Sequence, residues 1–177
     1  SITVDEPRDL LLKELESYNK VGNKRIPTYA DSYVNIASWN QRGQWNLANV
    51  HDPTVMKAAD GYYYMYQTDA SYGNSHVGHG HFHGRRSLDL VNWEYLGATL
   101  MDDQPQWAVD SVNAYFARMG RGQVTTLTDM GYWAPVVRKI NDNLYRMYYC
   151  LVSREWAFVG MMETTDPASN RWEDKGY

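Results

Sequence analysis

The chain has 177 residues and a net charge of −4, with 44% hydrophobic and 21% charged residues, enough for one domain with a sizeable core. There is no basic run to meet nucleic acid and no apolar stretch long enough to span a bilayer as a helix. A single cysteine, Cys150, allows no intrachain disulfide, and the 15 Tyr and 7 Trp against 3 Phe suit both strands and stacking on ligands.

Residues 5–19, DEPRDLLLKELESYN, read as one amphipathic helix. Asp5 can cap it, Pro7 suits its first turn, Leu11, Leu12, Leu15 and Tyr18 recur near helical spacing, and Gly22 ends it. Helix and lead-in set residues 1–44 apart from 45–177. Beyond them come short aromatic and β-branched runs broken by Gly, Asn and Asp, the pattern of an all-β fold.

A repeat follows. DPTVMKAADGYYYMYQT (52–68) aligns with APVVRKINDNLYRMYYC (134–150) at a constant offset of 82, matching Pro53 with Pro135, Val55 with Val137, Lys57 with Lys139, Asp60 with Asp142, Tyr63 with Tyr145, Met65 with Met147 and Tyr66 with Tyr148. Each copy reads as strand, turn, strand. RRSLDLVNWEYLG (85–97) then carries Trp93-Glu94 and Gly97, as METTDPASNRWEDKG (162–176) carries Trp172-Glu173 and Gly176. A repeat of several strands with aromatic punctuation predicts the blades of a β-propeller. Residues 98–132 form an insertion between blades, in which QPQWAVDSVNAYFARMGRG reads as a short helix and loop.

Within NVHDPTVMK (49–57), Pro53 restricts the residue before it to extended geometry, so Asp52 is expected to have a fixed, extended backbone. The residues matching His51 and Asp52 are Trp133 and Ala134. The proline and the strand recur, but the carboxylate does not. A carboxylate needed for blade architecture should recur, whereas one needed for chemistry need not, and this makes Asp52 the candidate catalytic group. His51 either orients it or packs as a structural histidine. Glu163 aligns near the outer Arg85-Arg86-Ser87 strand, and Glu94 and Glu173 belong to the Trp-Glu repeat, so these three read as architectural; Asp110 in the insertion is the outside candidate for an acid. In SHVGHGHFHGRR (75–86), His79, His81 and His83 alternate, so a strand would place them on one face at a spacing that can bind zinc or copper. Acidic and thiol ligands are absent nearby. The plain reading is a polar strand face, with no metal and no cofactor.

HDPTVMKAADGYYYMYQT, RRSLDLVNWEYLG, GYWAPVVRKINDNLYRMYY and TTDPASNRWEDKG, in that order, resemble the start of the family-43 glycoside hydrolases, the arabinanases, arabinofuranosidases and xylosidases. The likeness runs from about residue 45 to the end. It implies a five-bladed β-propeller with a funnel-shaped site at its axis, and inverting hydrolysis of arabinose- or xylose-containing plant polysaccharide by three carboxylates. Asp52 matches the general base. Trp133, of the Trp-Ala-Pro motif, and His51 beside the base are the candidate substrate-binding residues. Many relatives have Asp or His where this chain has Val136, so a polar contact from that position is lost. The second aspartate and the general acid of the family lie further along, so the chain is expected to supply the first two blades, completed by further blades or another chain. The other partner is a carbohydrate, and the setting is secreted, periplasmic or cell-surface. Two rivals stand beside this reading: a non-catalytic carbohydrate-binding propeller, and a histidine-based metal-binding β-protein.

Overall fold

The computed structural model describes residues 50–68, 80–101 and 103–177. The helix read at 5–19, the lead-in to residue 44, the boundary at 45 and His79 lie outside the described residues. The described chain forms two four-stranded antiparallel sheets, each with its strands in chain order. Sheet one comprises β1 (Thr54–Lys57), β2 (Tyr63–Tyr66), β3 (His81–Ser87) and β4 (Glu94–Leu100). A helix, α1 (Gln106–Arg118), precedes sheet two, which comprises β5 (Gly131–Asn141), β6 (Leu144–Val152), β7 (Ala157–Thr164) and β8 (Glu173–Gly176).

The repeat holds at the level of register. Thr54 pairs with Tyr66 as Val136 pairs with Tyr148, Val55 with Met65 as Val137 with Met147, and Lys57 with Tyr63 as Lys139 with Tyr145. The Trp-Glu echo holds too: Glu94 pairs with Arg86, and Glu173 with Glu163. Gly97 and Gly176 have φ of 98° and 90°, and the outer ladder of each sheet slips register beside them. A bulge of that hand needs a residue without a Cβ penalty at positive φ.

Burial runs in opposite phase in the two copies. Tyr64 and Tyr66 are buried in sheet one, while Arg146 and Tyr148, their matches, are not; in sheet two Tyr145 and Met147 are buried instead. Sheet one turns positions 54, 56, 64 and 66 toward sheet two, and sheet two answers with 137, 145, 147 and 149, the other face of its own repeat. The front of one sheet therefore packs on the back of the next. Copies related by a dyad would bury the same positions in both, so the two sheets stack front to back.

The seam between the sheets is aromatic. Phe82, wholly buried, lies edge-on to Tyr132 at 5.7 Å and tilted against Tyr149 at 5.3 Å, and Tyr66 meets Trp172 edge-on at 5.3 Å. Such pairs contribute about 0.5–1.5 kcal/mol each beyond the area they bury. A polar clasp closes one end. Asn170 follows the 3-10 turn Pro167–Ser169 in the left-handed region at φ 54°, and its Nδ2 donates toward the carbonyls of Leu96, Gly97 and Ala98 at 3.3, 2.9 and 3.1 Å. Gly84 makes room for it: a Cβ there would lie 2.7 Å from Asn170 Oδ1 and 3.1 Å from the Tyr66 ring. Gly84→Ala should therefore destabilise the protein by about 1–3 kcal/mol through overpacking. A urea unfolding series measures this, and an unchanged midpoint would mean the clasp yields freely.

The insertion forms a helix of 13 residues, longer than the short one expected. It buries Ala108, Val109, Val112 and Phe116 along one stripe. Gly120, at φ 67°, follows its end as a left-handed glycine commonly does. Trp107 Nε1 donates to Asp174 Oδ1 at 3.0 Å, and Tyr149 donates to Asp174 Oδ2 at 2.5 Å, so one carboxylate ties α1 and β6 to β8. Burial first, and the Asp174 carboxylate second, hold the Tyr149 hydroxyl far above the usual phenol range.

Candidate functional site

Pro53 and Pro135 lack a backbone donor, so the ladder between the first two strands of each copy cannot run unbroken past them. In sheet two, Trp133 pairs with Cys150 and Val136 with Tyr148, a slip of one residue across Ala134-Pro135. The first copy does the same. Thr68 N–H donates to the His51 carbonyl at 3.0 Å, although Thr54 pairs with Tyr66, so Asp52-Pro53 is the corresponding bulge. The bulged residues have nearly the same backbone: φ is 48° at Asp52 and 47° at Ala134. This corrects the extended geometry expected before proline. The missing proline N–H breaks the ladder, and the bulge turns the preceding residue into the left-handed region, which Asp tolerates better than Ala. Because the strained backbone recurs, it belongs to the fold. What differs is the side chain upon it.

That side chain is held across the seam. Ala134 N–H donates to Thr68 Oγ1 at 2.7 Å, and Thr68 Oγ1 donates to Asp52 Oδ2 at 2.7 Å. Asp52 is exposed, while Thr68 is only 4% exposed. The first bulge thus presents a carboxylate to solvent, anchored through one oxygen to the backbone of the second. Thr68 is the neighbour of Asp52 that sequence reading missed. A signal was available: where Asp52 becomes Ala134, Thr68 becomes Cys150, so both partners of the hydrogen bond change together.

Trp133 adjoins the Ala134 end of this chain of bonds and is 52% exposed, on the opposite side of β5 from the buried Tyr132. The structure therefore brings Asp52 to the Trp133-Ala134 peptide, with the indole on the outer face of sheet two. Val136, Tyr148 and Val159 are exposed on that same face. His51 is exposed rather than packed, and its carbonyl receives the Thr68 N–H. The hydrogen bond to the Asp52 carboxylate comes from Thr68.

The other carboxylates weighed from the sequence have structural partners. Glu94 pairs with Arg86 and Glu163 with Arg146, both at 2.7 Å, and Glu173 with Lys175 at 2.9 Å. Asp110 accepts from Gln106 Nε2 at 2.8 Å on the exposed side of α1. His81 and His83, the two described histidines of the stripe, do not share the single face expected of them. Phe82 between them has φ 53°, which breaks strand alternation. His81 stacks on Tyr132 of sheet two at 3.7 Å, whereas Nδ1 of His83 lies 2.6 Å from the hydroxyl of Tyr95 within sheet one. Among the described residues, no three His, Cys, Asp or Glu side chains form a group that could hold a metal ion. Also among the described residues, no helix is long and apolar enough to cross a membrane.

The family model described as glycosyl hydrolases family 43 matches residues 47–177. The chain is similar to the extracellular endo-α-(1→5)-L-arabinanase of Thermotoga petrophila, with 29% identity over 111 residues, covering 63% of this chain and 20% of that protein. It thus spans a fifth of that relative's length. Among solved structures it is similar to the native arabinanase of Bacillus subtilis, with 20% identity, 72% of this chain and 37% of that one covered, and a TM-score of 0.49. It is also similar to an exo-β-1,3-galactanase of Clostridium thermocellum, with 19% identity, 71% and 23% covered, and a TM-score of 0.46.

Proposed function

Because the chain belongs to glycosyl hydrolases family 43, we propose that the intact protein hydrolyses glycosidic bonds in arabinose-containing plant polysaccharide with inversion, using Asp52 as general base. One observation carries this reading: an exposed carboxylate at the seam of the two sheets, tethered by Thr68, on a bulge whose repeat has a methyl group instead. With Oδ2 engaged by the Thr68 hydroxyl, Oδ1 is the oxygen left to take a proton from water. That water attacks the anomeric carbon opposite the leaving group. An acid about 6.5–9.5 Å away protonates the departing oxygen. The base works ionised and the acid works protonated, which requires the two carboxyl groups to sit in different surroundings.

Trp133 offers an apolar ring face to the sugar, and exposed His51 flanks the base. Glu94, Glu163 and Glu173 are committed to ion pairs, so we assign the acid and its tuning carboxylate to further blades of the intact protein. The apolar outer face of sheet two supports such blades. Its matched positions in sheet one are the ones buried by the next sheet, so a third sheet seated on Val136 and Tyr148 continues the stack, and five close a propeller. The names of the Thermotoga petrophila relative support arabinose as the sugar and secretion as the destination.

The test is the intact protein on linear arabinan, aryl arabinofuranoside and aryl xyloside, with the first-formed anomer followed by proton NMR. Arabinose-containing products of inverted configuration are expected. Retained configuration overturns the base assignment. Binding of arabinan with no release of sugar would leave a carbohydrate-binding propeller in place of an enzyme.

A further inference from the structure

We propose that Thr68 is a positioning residue for Asp52, its hydroxyl setting the carboxylate's direction by bridging it to the Ala134 backbone. This deepens the reading of Asp52 as general base and rests on it. The polarity of the bridge is forced. Ala134 N–H can only donate, so Thr68 Oγ1 accepts there at 2.7 Å, and its own hydrogen points to Asp52 Oδ2 at 2.7 Å. An ionised carboxylate accepts such a hydrogen bond more strongly than a carboxylic acid does, and ionised is the state a base needs. Oδ1 then faces outward to the water.

Thr68 is suited to this task because it is held on every side. Its N–H is bonded to the His51 carbonyl at 3.0 Å, and the residue is buried. Its neighbour Gln67, wholly buried, bonds to Arg85 within sheet one and pins the end of the strand. A β-branched side chain has few rotamers to choose from, so the hydroxyl direction follows from the backbone. The fold itself does not require the pair: the second copy builds the same bulge, with φ 47°, around Ala134 and Cys150.

The test uses Thr68→Val, which keeps the shape and removes the hydroxyl, and Thr68→Ser, which restores it, both in the intact protein. Thr68→Val should lower kcat by about 10²-fold through misplacement of the base, with KM changed by no more than about threefold. Thr68→Ser should keep kcat within about threefold of the parent, by the same argument. On an Asp52→Ala background Thr68→Val should add no further loss, because the two groups act as one unit. A second readout needs no substrate: amide hydrogen exchange at Ala134 should speed up in Thr68→Val and recover in Thr68→Ser. If Thr68→Val leaves both kcat and Ala134 exchange unchanged, the bridge is not formed and the proposal is wrong. It is equally wrong if Thr68→Ser restores Ala134 protection without restoring kcat, since Thr68 then acts by packing alone. If no hydrolysis is found in the parent, it is the enzyme reading that fails, and exchange at Ala134 alone then decides whether Thr68 anchors Asp52.

Discussion

Asp52→Asn should lower kcat on arabinan by about 10²–10⁴-fold, the range expected for loss of a general base, while leaving the protein as stable as before. The two halves of this expectation have separate causes. An amide cannot take a proton from water, so the chemical step loses its base. The amide oxygen can still accept the Thr68 hydroxyl, so the bridge from Ala134 to position 52 survives. Asn also tolerates the left-handed backbone that position 52 adopts at φ 48°. The change should therefore stay within about 0.5 kcal/mol of the parent in a urea titration, as exposed substitutions usually do. Steady-state kinetics on the intact protein, beside that titration, checks both halves. Activity within twofold of the parent would remove Asp52 from the mechanism. Lost activity together with lost stability would make Asp52 a structural group.

Phe82→Ala should destabilise the protein by about 3–5 kcal/mol, a large part of the roughly 5–15 kcal/mol that holds a domain folded. Phe82 is wholly buried between the sheets, and its ring meets both Tyr132 and Tyr149. Removing it opens a cavity at the seam, where neither sheet can collapse without shifting its register. The backbone adds a sharper test. In an ordinary strand Gly is less stable than Ala by about 0.5–1 kcal/mol. At φ 53° the ranking should vanish or reverse, because Ala keeps the left-handed strain that Gly relieves. Chemical denaturation of Phe82→Ala and Phe82→Gly measures the difference. A Gly variant clearly weaker than the Ala variant would mean that the backbone at 82 relaxes once the ring is gone.

The repeat was readable because ladder register depends on local pattern. Pro53 and Pro135, Val55 and Val137, and Tyr63 and Tyr145 keep an offset of 82 through a turn of constant length, and a turn of fixed length fixes which residues face each other. Asp52 stood out on the same ground, as the polar member of a pair whose partner is Ala134. Which face of each copy is buried was not readable. Both faces of 63–66 and of 145–149 carry large aromatic or thioether side chains, so periodicity offers no choice between them. The choice depends on which neighbouring sheet arrives on which side.

The shared face expected of His81 and His83 failed for a related reason. Alternation along 81–83 assumes an unbroken strand, and the left-handed Phe82 turns His81 to Tyr132 and leaves His83 beside Tyr95. No propensity scale expects a positive φ at phenylalanine. It persists because the aromatic seam around it offsets the strain.

The amino-acid sequence by itself determined the all-β class, the two copies, their strand pairing and the lone carboxylate before the first of the two matched prolines, since each follows from patterns spanning a few neighbouring residues. Only the tertiary structure decided that the front of one sheet meets the back of the other, that Asp52 is left-handed, and that Thr68 joins Asp52 to Ala134 across 66 residues of chain. The physical reason is range: a hydrogen bond or a buried ring between distant segments depends on where two sheets come to rest against each other, and no local periodicity encodes that.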